Sequence, residues 1–474
     1  MPGPRISAHR LVAMAGPPDA RTPSYAWLAD AVRLLVADGR LLHGTRLPSE
    51  RELVTATGLS RTTVSRAYAE LRERGYARAR HGSGTLVQIP GGPVSGAAEP
   101  LPLHDLGEHA SGVIDLRSAA PSGQPGLAAA FERAVERLGA YTGGMGYFPL
   151  GVPELREAVA QRYRERGVPT RSDQIVVTTG ALAGCVAAFR AVLHRGDRVL
   201  LQSPSYPGTL ASLRQDAVRL LAVPAESGRT DLEAIAERAA ASSPRAMLAL
   251  PDFHNPTGTL MDDDERARLA GIWERHGVVG VVDETLCELW LQDEPSVRPM
   301  AAHAPGSITV GGVSKSHWGG LRIGWVRAPR DLVGAVARAR TTFDLAPPVL
   351  EQLVVTDLLQ TRAGLPDDTR RGLRERRDLV HGAISRELPG WQALSPSGGL
   401  SLWWRLPVAR SSALSAAAER RGVLLAPGSA FAVEGQGLER WVRTPYALPA
   451  EQLEVAVERI VAAWREVVAH DGTR

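Results

Sequence analysis

The chain has 474 residues and a hydrophobic fraction of 44%, enough for two or three ordered domains and against general disorder. No apolar run reaches the ~20 residues a membrane helix needs, Leu11 to Gly16 is too short for a signal-peptide core, and two cysteines, Cys185 and Cys287, build neither a disulfide framework nor a metal cluster, so a soluble cytoplasmic protein without membrane contact is expected. Basic side chains number 55 against 51 acidic, but residues 1–90 hold 13 arginines against 7 acids while the remainder holds 42 basic against 44 acidic, so only the N-terminal part suits a polyanion.

Tyr25, Leu28, Ala29, Val32, Leu35 and Val36 recur at helical spacing, with Gly39 as a stop. Ser49 with Glu52 three residues on forms a capping box that starts a second helix, ending near Gly58. Ser60 caps a third, whose buried face is Val64, Ala67, Tyr68 and Leu71 and whose stop is Gly75. Two short helices joined by a tight turn predict a helix-turn-helix. The start of its second helix, Ser60-Arg61-Thr62-Thr63, is the part that enters a major groove, where Arg61 meets a guanine edge or a phosphate. Tyr76 to Gln88 reads as two short strands around a tight turn at His81-Gly82-Ser83-Gly84. A protein-binding three-helix module is the alternative, opposed by the basic excess in this same segment.

The stretches Leu47-Pro48-Ser49-Glu50-Arg51-Glu52-Leu53, Ser60-Arg61-Thr62-Thr63-Val64 and Arg80-His81-Gly82-Ser83-Gly84-Thr85 resemble the winged helix of the GntR superfamily of bacterial regulators, over residues 24–88. The resemblance implies that Arg51, Arg61, Thr62 and Thr63 contact operator double-stranded DNA and that His81 and Gly82 form the wing tip. One departure is Ser65, where some relatives carry another DNA-contacting arginine. Residues 89–112 are rich in Pro, Gly, Ala and Ser and read as a flexible linker.

From about Ile114, apolar runs alternate with helical stretches: 174–179, 198–202, 246–250, 278–282, 307–311 and 321–326. This alternation predicts an α/β domain over 113–474, with a mostly parallel sheet covered by helices on both faces. Ligands of such sheets bind at the carboxyl ends of strands, and the chemistry-bearing residues fall there. Thr179-Gly180-Ala181-Leu182 opens a helix whose bare N–H groups suit a phosphate. Tyr206, in a Pro-bounded loop, can stack on a planar ligand. Asn255, in His254-Asn255-Pro256-Thr257-Gly258, supplies an amide donor, while His254 is read as structural. Asp283 ends a strand and is either a cap for the next segment or the partner of a buried cation. Ser314-Lys315-Ser316 follows, with Arg322 seven residues on. Lys315 is the only lysine of the chain. Arginine never yields a neutral amine, so a position that needs a deprotonated side-chain amine must use lysine. Phosphate cradle, stacking ring, amide, carboxylate and amine together describe a site for pyridoxal 5′-phosphate.

This order of residues resembles the fold-type I aminotransferases over roughly 113–450. The resemblance implies that Lys315 is the catalytic, Schiff-base lysine, that Asp283 pairs with the ring nitrogen, that Asn255 bonds the phenolic oxygen and that Tyr206 stacks. Ala181, Leu182, Ser314 and Arg322 then bind the phosphate. Tyr147-Phe148-Pro149-Leu150-Gly151 is similar to the segment whose tyrosine reaches the partner subunit's phosphate, implying a head-to-tail homodimer. Trp441-Val442-Arg443-Thr444 is similar to the segment whose arginine grips an effector or substrate carboxylate. A smaller C-terminal α/β subdomain is implied for about 350–474. Two positions depart from the family pattern. Thr285 and Leu286 stand where a tyrosine is common, and Gly312 where a phosphate-binding serine is common. Cofactor binding is expected to survive both.

Winged helix, linker and aminotransferase-like domain in this order resemble the MocR-type regulators. The resemblance implies a transcription regulator that senses pyridoxal 5′-phosphate, or its adduct with an amino compound, at Lys315. The alternative is a working aminotransferase with an appended DNA-binding domain.

Overall fold

The computed structural model describes residues 5–18, 22–37, 41, 44–80, 84–88, 112–225, 230–361, 364–393, 395–433 and 438–471. His81, Gly82 and nearly all of the linker expected at 89–112 lie outside them. Residues 1–96 with 123–135 make one compact unit, and 97–122 with 136–474 the other.

The first unit is helical with a two-stranded wing. Its helices are α1 (Ala8–Ala15), α2 (Ser24–Ala37), α3 (Glu50–Thr57) and α4 (Arg61–Glu73). The Ser49 side chain accepts the Glu52 N–H while Glu52 accepts the Ser49 N–H, the reciprocal cap that fixes where α3 begins. Gly58, left-handed at φ 71°, ends it, and the Ser60 hydroxyl caps α4. β1 (Ala77–Arg80) and β2 (Gly84–Val87) pair antiparallel. Leu11, Leu28, Val32, Leu53, Val64 and Leu71 fill the core, each contributing roughly 1.5–3 kcal/mol by leaving water. Two parts of this unit fall outside residues 24–88. One is α1, which contributes Leu11. The other is the first part of α5 (Leu127–Leu138), whose Glu132 pairs with Arg33 of α2 at 2.7 Å.

The second unit is built on a seven-stranded sheet. After the short β3 (Ile114–Asp115), its strands are β4 (Ile175–Thr178), β5 (Arg198–Ser203), β6 (Arg219–Pro224), β7 (Ala246–Ala249), β8 (Val279–Asp283), β9 (Ile308–Gly312) and β10 (Gly324–Arg327). Their order is β4-β10-β9-β8-β7-β5-β6, with β10 antiparallel to both neighbours and the remaining pairs parallel. The expected mostly parallel sheet is therefore present, with β6 as an additional edge strand. The helices that matter for the site are α6 (Pro153–Glu165), α7 (Ala181–Val192), α8 (Pro207–Gln215), α9 (Leu232–Ser242) and α10 (Asp263–His276). Val176, Val199, Leu201, Val281 and Val310, all fully buried, form the face that α7 covers.

A second sheet, β11 (Gln392–Ala393), β12 (Ser401–Arg405), β15 (Trp441–Pro445) and β14 (Ala426–Pro427), lies nearer the C-terminus, while β13 (Val423–Leu424) pairs with β3. Helices Asp367–Glu387 and Ala450–Asp471 share its core, in which Trp391 meets Trp464 edge-on with ring centroids 5.3 Å apart. No helix among the described residues is long and apolar enough to cross a membrane.

Candidate cofactor site and nucleic-acid face

The carboxyl ends of β4, β5, β7, β8 and β9 surround a cavity of about 390 Å³. Its wall includes Ala181, Leu182, Tyr206, Asn255, Asp283, Ser314, Lys315 and Arg322, eight of the residues expected to hold the cofactor. Tyr147 does not reach it. That ring is 61% exposed. Arg443, 1% exposed, lines an adjoining small cavity that shares Tyr206, Asn255, Leu286 and Lys315 with the first.

One end of the main cavity suits an anion. Gly180, at φ 91°, precedes α7 and leaves the first N–H groups of that helix facing the cavity. A Cβ at Gly180 would lie 2.8 Å from Arg322 Nη2, so only glycine lets the guanidinium settle there, where it donates to the Thr179 carbonyl at 3.2 Å. Arg322 itself is left-handed, at φ 50°. Gly312 leaves ordinary contact distances of 3.4 Å for an added Cβ, so the missing serine reflects no lack of space.

Another part of the wall is acidic. Asp283 Oδ1 accepts both the Thr285 N–H at 2.9 Å and the Thr285 hydroxyl at 2.6 Å. Burial pushes the Asp283 carboxyl above the usual carboxylate range, while those two bonds and the Lys315 charge pull it down. Thr285 thus orients the aspartate, a role its position in place of a tyrosine did not reveal. Leu286 presents only carbon to both cavities.

Gly208 leaves space for the Tyr206 ring, which a Cβ there would meet at 2.7 Å. Asn255 Oδ1 accepts a bond from Arg443 Nη1 at 3.1 Å, and Arg443 Nη2 donates to the Arg117 carbonyl. With its oxygen used in this way, Asn255 is left to offer its amide N–H groups. His254, read from the sequence as structural, is 4% exposed. Its Nδ1 bonds Thr257 Oγ1 at 2.9 Å, but it also lines the small cavity beside Arg443. Burial lowers its pKa to about 4, so the ring is neutral near pH 7.

On the first unit, Arg51, Arg61 and Thr62 are exposed at the starts of α3 and α4. Thr63 is half-buried, and its hydroxyl lies 2.8 Å from the Ser60 hydroxyl that caps the helix. Arg66, beside the departing Ser65, lies over the Tyr25 ring at 3.7 Å and bonds its hydroxyl.

Fold and site together define a winged-helix regulator joined to an aminotransferase fold. Residues 111–460 match the family model for aminotransferase class I and II, and residues 24–87 match that for bacterial regulatory proteins of the gntR family. The chain belongs to the MocR-type regulators, in which these two domains are fused. It is 30% identical to the uncharacterized HTH-type transcriptional regulator YdcR of Escherichia coli, across 92% of this chain and 98% of that one. It is 28% identical to the probable rhizopine catabolism regulatory protein MocR of Rhizobium meliloti, across 86% of this chain and 87% of the relative. Among solved structures, LysN, the alpha-aminoadipate aminotransferase of Thermus thermophilus, superposes with a TM-score of 0.67 at 28% identity. The match covers 76% of this chain and 94% of LysN, which was solved with N-(5′-phosphopyridoxyl)-L-leucine.

Proposed function

We propose that the protein is a transcription regulator that binds operator DNA through α4 and responds to pyridoxal 5′-phosphate, or to an amino compound acting on it, at Lys315. The observation that carries this reading is the placement of the only lysine of the chain. It lies in the wall of a cavity that also presents the Arg322 guanidinium, the start of α7 at Ala181 and Leu182, and the Asp283 carboxylate. That donor set fits a ligand with an anionic group at one end and a protonated ring nitrogen at the other. When bound, the cofactor supplies an aldehyde that condenses with a primary amine, releasing water, and a ring that draws electrons.

The residues of the chain have separable tasks. Arg322 and the first N–H groups of α7 anchor the phosphate, aided by Ser314. Asp283, held by Thr285, keeps the proton on the ring nitrogen. Asn255, held by Arg443, donates to the phenolic oxygen, and Tyr206 covers the ring. Arg443 takes a carboxylate of an incoming amino compound. Two copies of the chain assemble head to tail, and ligand exchange at Lys315 shifts the balance between arrangements of their winged helices, and so the preferred half-site spacing.

The test is a visible absorbance band from the Lys315-bound cofactor, read beside operator binding. Lys315→Ala is expected to lose the band and the response of DNA binding to amino compounds. A mutant that keeps the band refutes the assignment of Lys315. Transamination is the second reading, favoured by the joint presence of Lys315, Asp283, Asn255 and Arg443 around the two cavities. Steady turnover of an amino donor with a keto acid is the outcome that would establish it. Leu286, which offers no hydroxyl, and Thr285, whose hydroxyl is committed to Asp283, argue against efficient turnover.

A further inference from the structure

Asp252 was not singled out by the sequence, yet it lines the same cavity as Asp283. The register of the sheet explains why. Ala249 of β7 pairs with Val282 of β8, so Asp283 and Asp252 lie one and three residues beyond the same rung of the ladder. Asp252 is 4% exposed. Its Oδ1 accepts from Arg266 Nη2 at 2.7 Å, and Arg266 on α10 is fully buried. Arg266 is fixed in turn by the carbonyls of Met261, Arg298 and Pro251. The second oxygen, Asp252 Oδ2, is buried and has no hydrogen-bond partner among the described residues. Leaving a buried carboxylate oxygen unmade is costly, and the Asp252 charge is felt at Asp283, which lines the same cavity.

The two carboxylates share a design. Each has one oxygen committed to protein donors, Thr285 for Asp283 and Arg266 for Asp252. Two acids lining one cavity repel each other unless a positive group lies near both. The Asp283 carboxyl feels this directly, since the Asp252 charge adds to the burial that pushes it up.

We propose that Asp252, held by Arg266, is a second acidic positioning residue for the protonated ring nitrogen of a pyridine cofactor, acting through the field it adds at Asp283. This rests on the reading of the cavity as a pyridoxal 5′-phosphate site. It goes beyond that reading by assigning the cationic ring to two carboxylates rather than one. The role is electrostatic and orienting, with no bond made or broken at Asp252.

The test compares two probes in the full-length protein: pyridoxal 5′-phosphate and its 1-deaza analogue, in which carbon replaces the ring nitrogen. Dissociation constants are read from the absorbance of the Lys315-bound form. The wild type is expected to prefer the pyridine compound. Asp252→Asn is expected to weaken pyridoxal 5′-phosphate by about tenfold, as loss of a close buried charge partner does, and to leave the analogue within about twofold. Because the single change leaves Arg266 buried without its ion-pair partner, the double variant Asp252→Asn/Arg266→Gln is measured beside it. A fall in the preference for the pyridine in either variant supports the proposal. Equal weakening of both probes in both variants overturns it, as does an unchanged preference. A wild type that gives no Lys315-dependent band with either probe overturns the cofactor reading itself, a different result from an unchanged preference.

Discussion

Arg322 sits at φ 50°, a left-handed conformation that costs a non-glycine residue roughly 1–2 kcal/mol. Its guanidinium occupies the space above Gly180 that a Cβ would fill, so the two positions depend on each other. Gly180→Ala is expected to displace the guanidinium and to strain a backbone at φ 91°. A cost of about 1.4 kcal/mol corresponds to a tenfold weaker cofactor, measurable as a shift in the absorbance titration. His254 gives a second prediction at this scale. Its pKa falls from an ordinary 6.5 to about 4 because burial opposes the charge. Between these values the unfolded chain takes up a proton that the folded chain refuses, so stability falls as pH falls through that window. The loss approaches about 3 kcal/mol by the lower end. Thermal melts of His254→Gln against wild type, between pH 7 and 4.5, should show a shallower pH dependence for the variant. Parallel curves would remove His254 as the source.

The helices of the first unit depend on their caps. Ser49→Ala removes one half of the reciprocal cap on α3 and is expected to cost about 1 kcal/mol, read as an earlier melting of that unit in the full chain. A change confined to the second unit would count against this account. These same caps are why the helix-turn-helix was legible in the sequence: Ser49, Glu52, Gly58 and Ser60 mark its ends by local chemistry. The strand ends of the large sheet were legible for a different reason. Central strands such as β8, Val279–Asp283, are apolar until their last residue, so Asp283 stands out. β6 was missed because it is an edge strand with arginine and proline at its ends and mostly half-buried side chains between. Thr285 and Asp252 were missed because their meaning lies in partners fixed by folding. The Arg266 that holds Asp252 lies 14 residues away on α10, at no spacing that a strand-end motif would flag. The antiparallel direction of β10 was equally invisible, since an apolar run carries no direction.

At the scale of the whole molecule, the two units divide the work. Arg61, exposed at the start of α4, is expected to meet a guanine edge or a phosphate. Arg61→Ala should weaken operator binding and relax one base position by about 1–3 kcal/mol, measured by titration against operator variants. Unchanged affinity and base preference would exclude that role. The second unit carries exposed apolar side chains at Met145, Tyr147, Phe343 and Leu345. Arg340 donates to the carbonyls of both Pro149 and Leu345, which makes the two segments neighbours. The proposed head-to-tail dimer would cover these side chains. Leu345→Arg is expected to shift the protein toward monomer in sedimentation, with Tyr147 then unable to serve a second site.

The position of Lys315 in the cavity wall has a practical corollary. Apart from the chain terminus, this protein offers amine-directed reagents a single ε-amino target. An acylating probe should therefore load at one internal position, on a peptide that mass spectrometry can find without sorting among competing lysines. Any compound that fills the cavity shields that position. Protection from labelling then becomes an occupancy meter for candidate effectors, including colourless ones, with each ligand scored against the same residue.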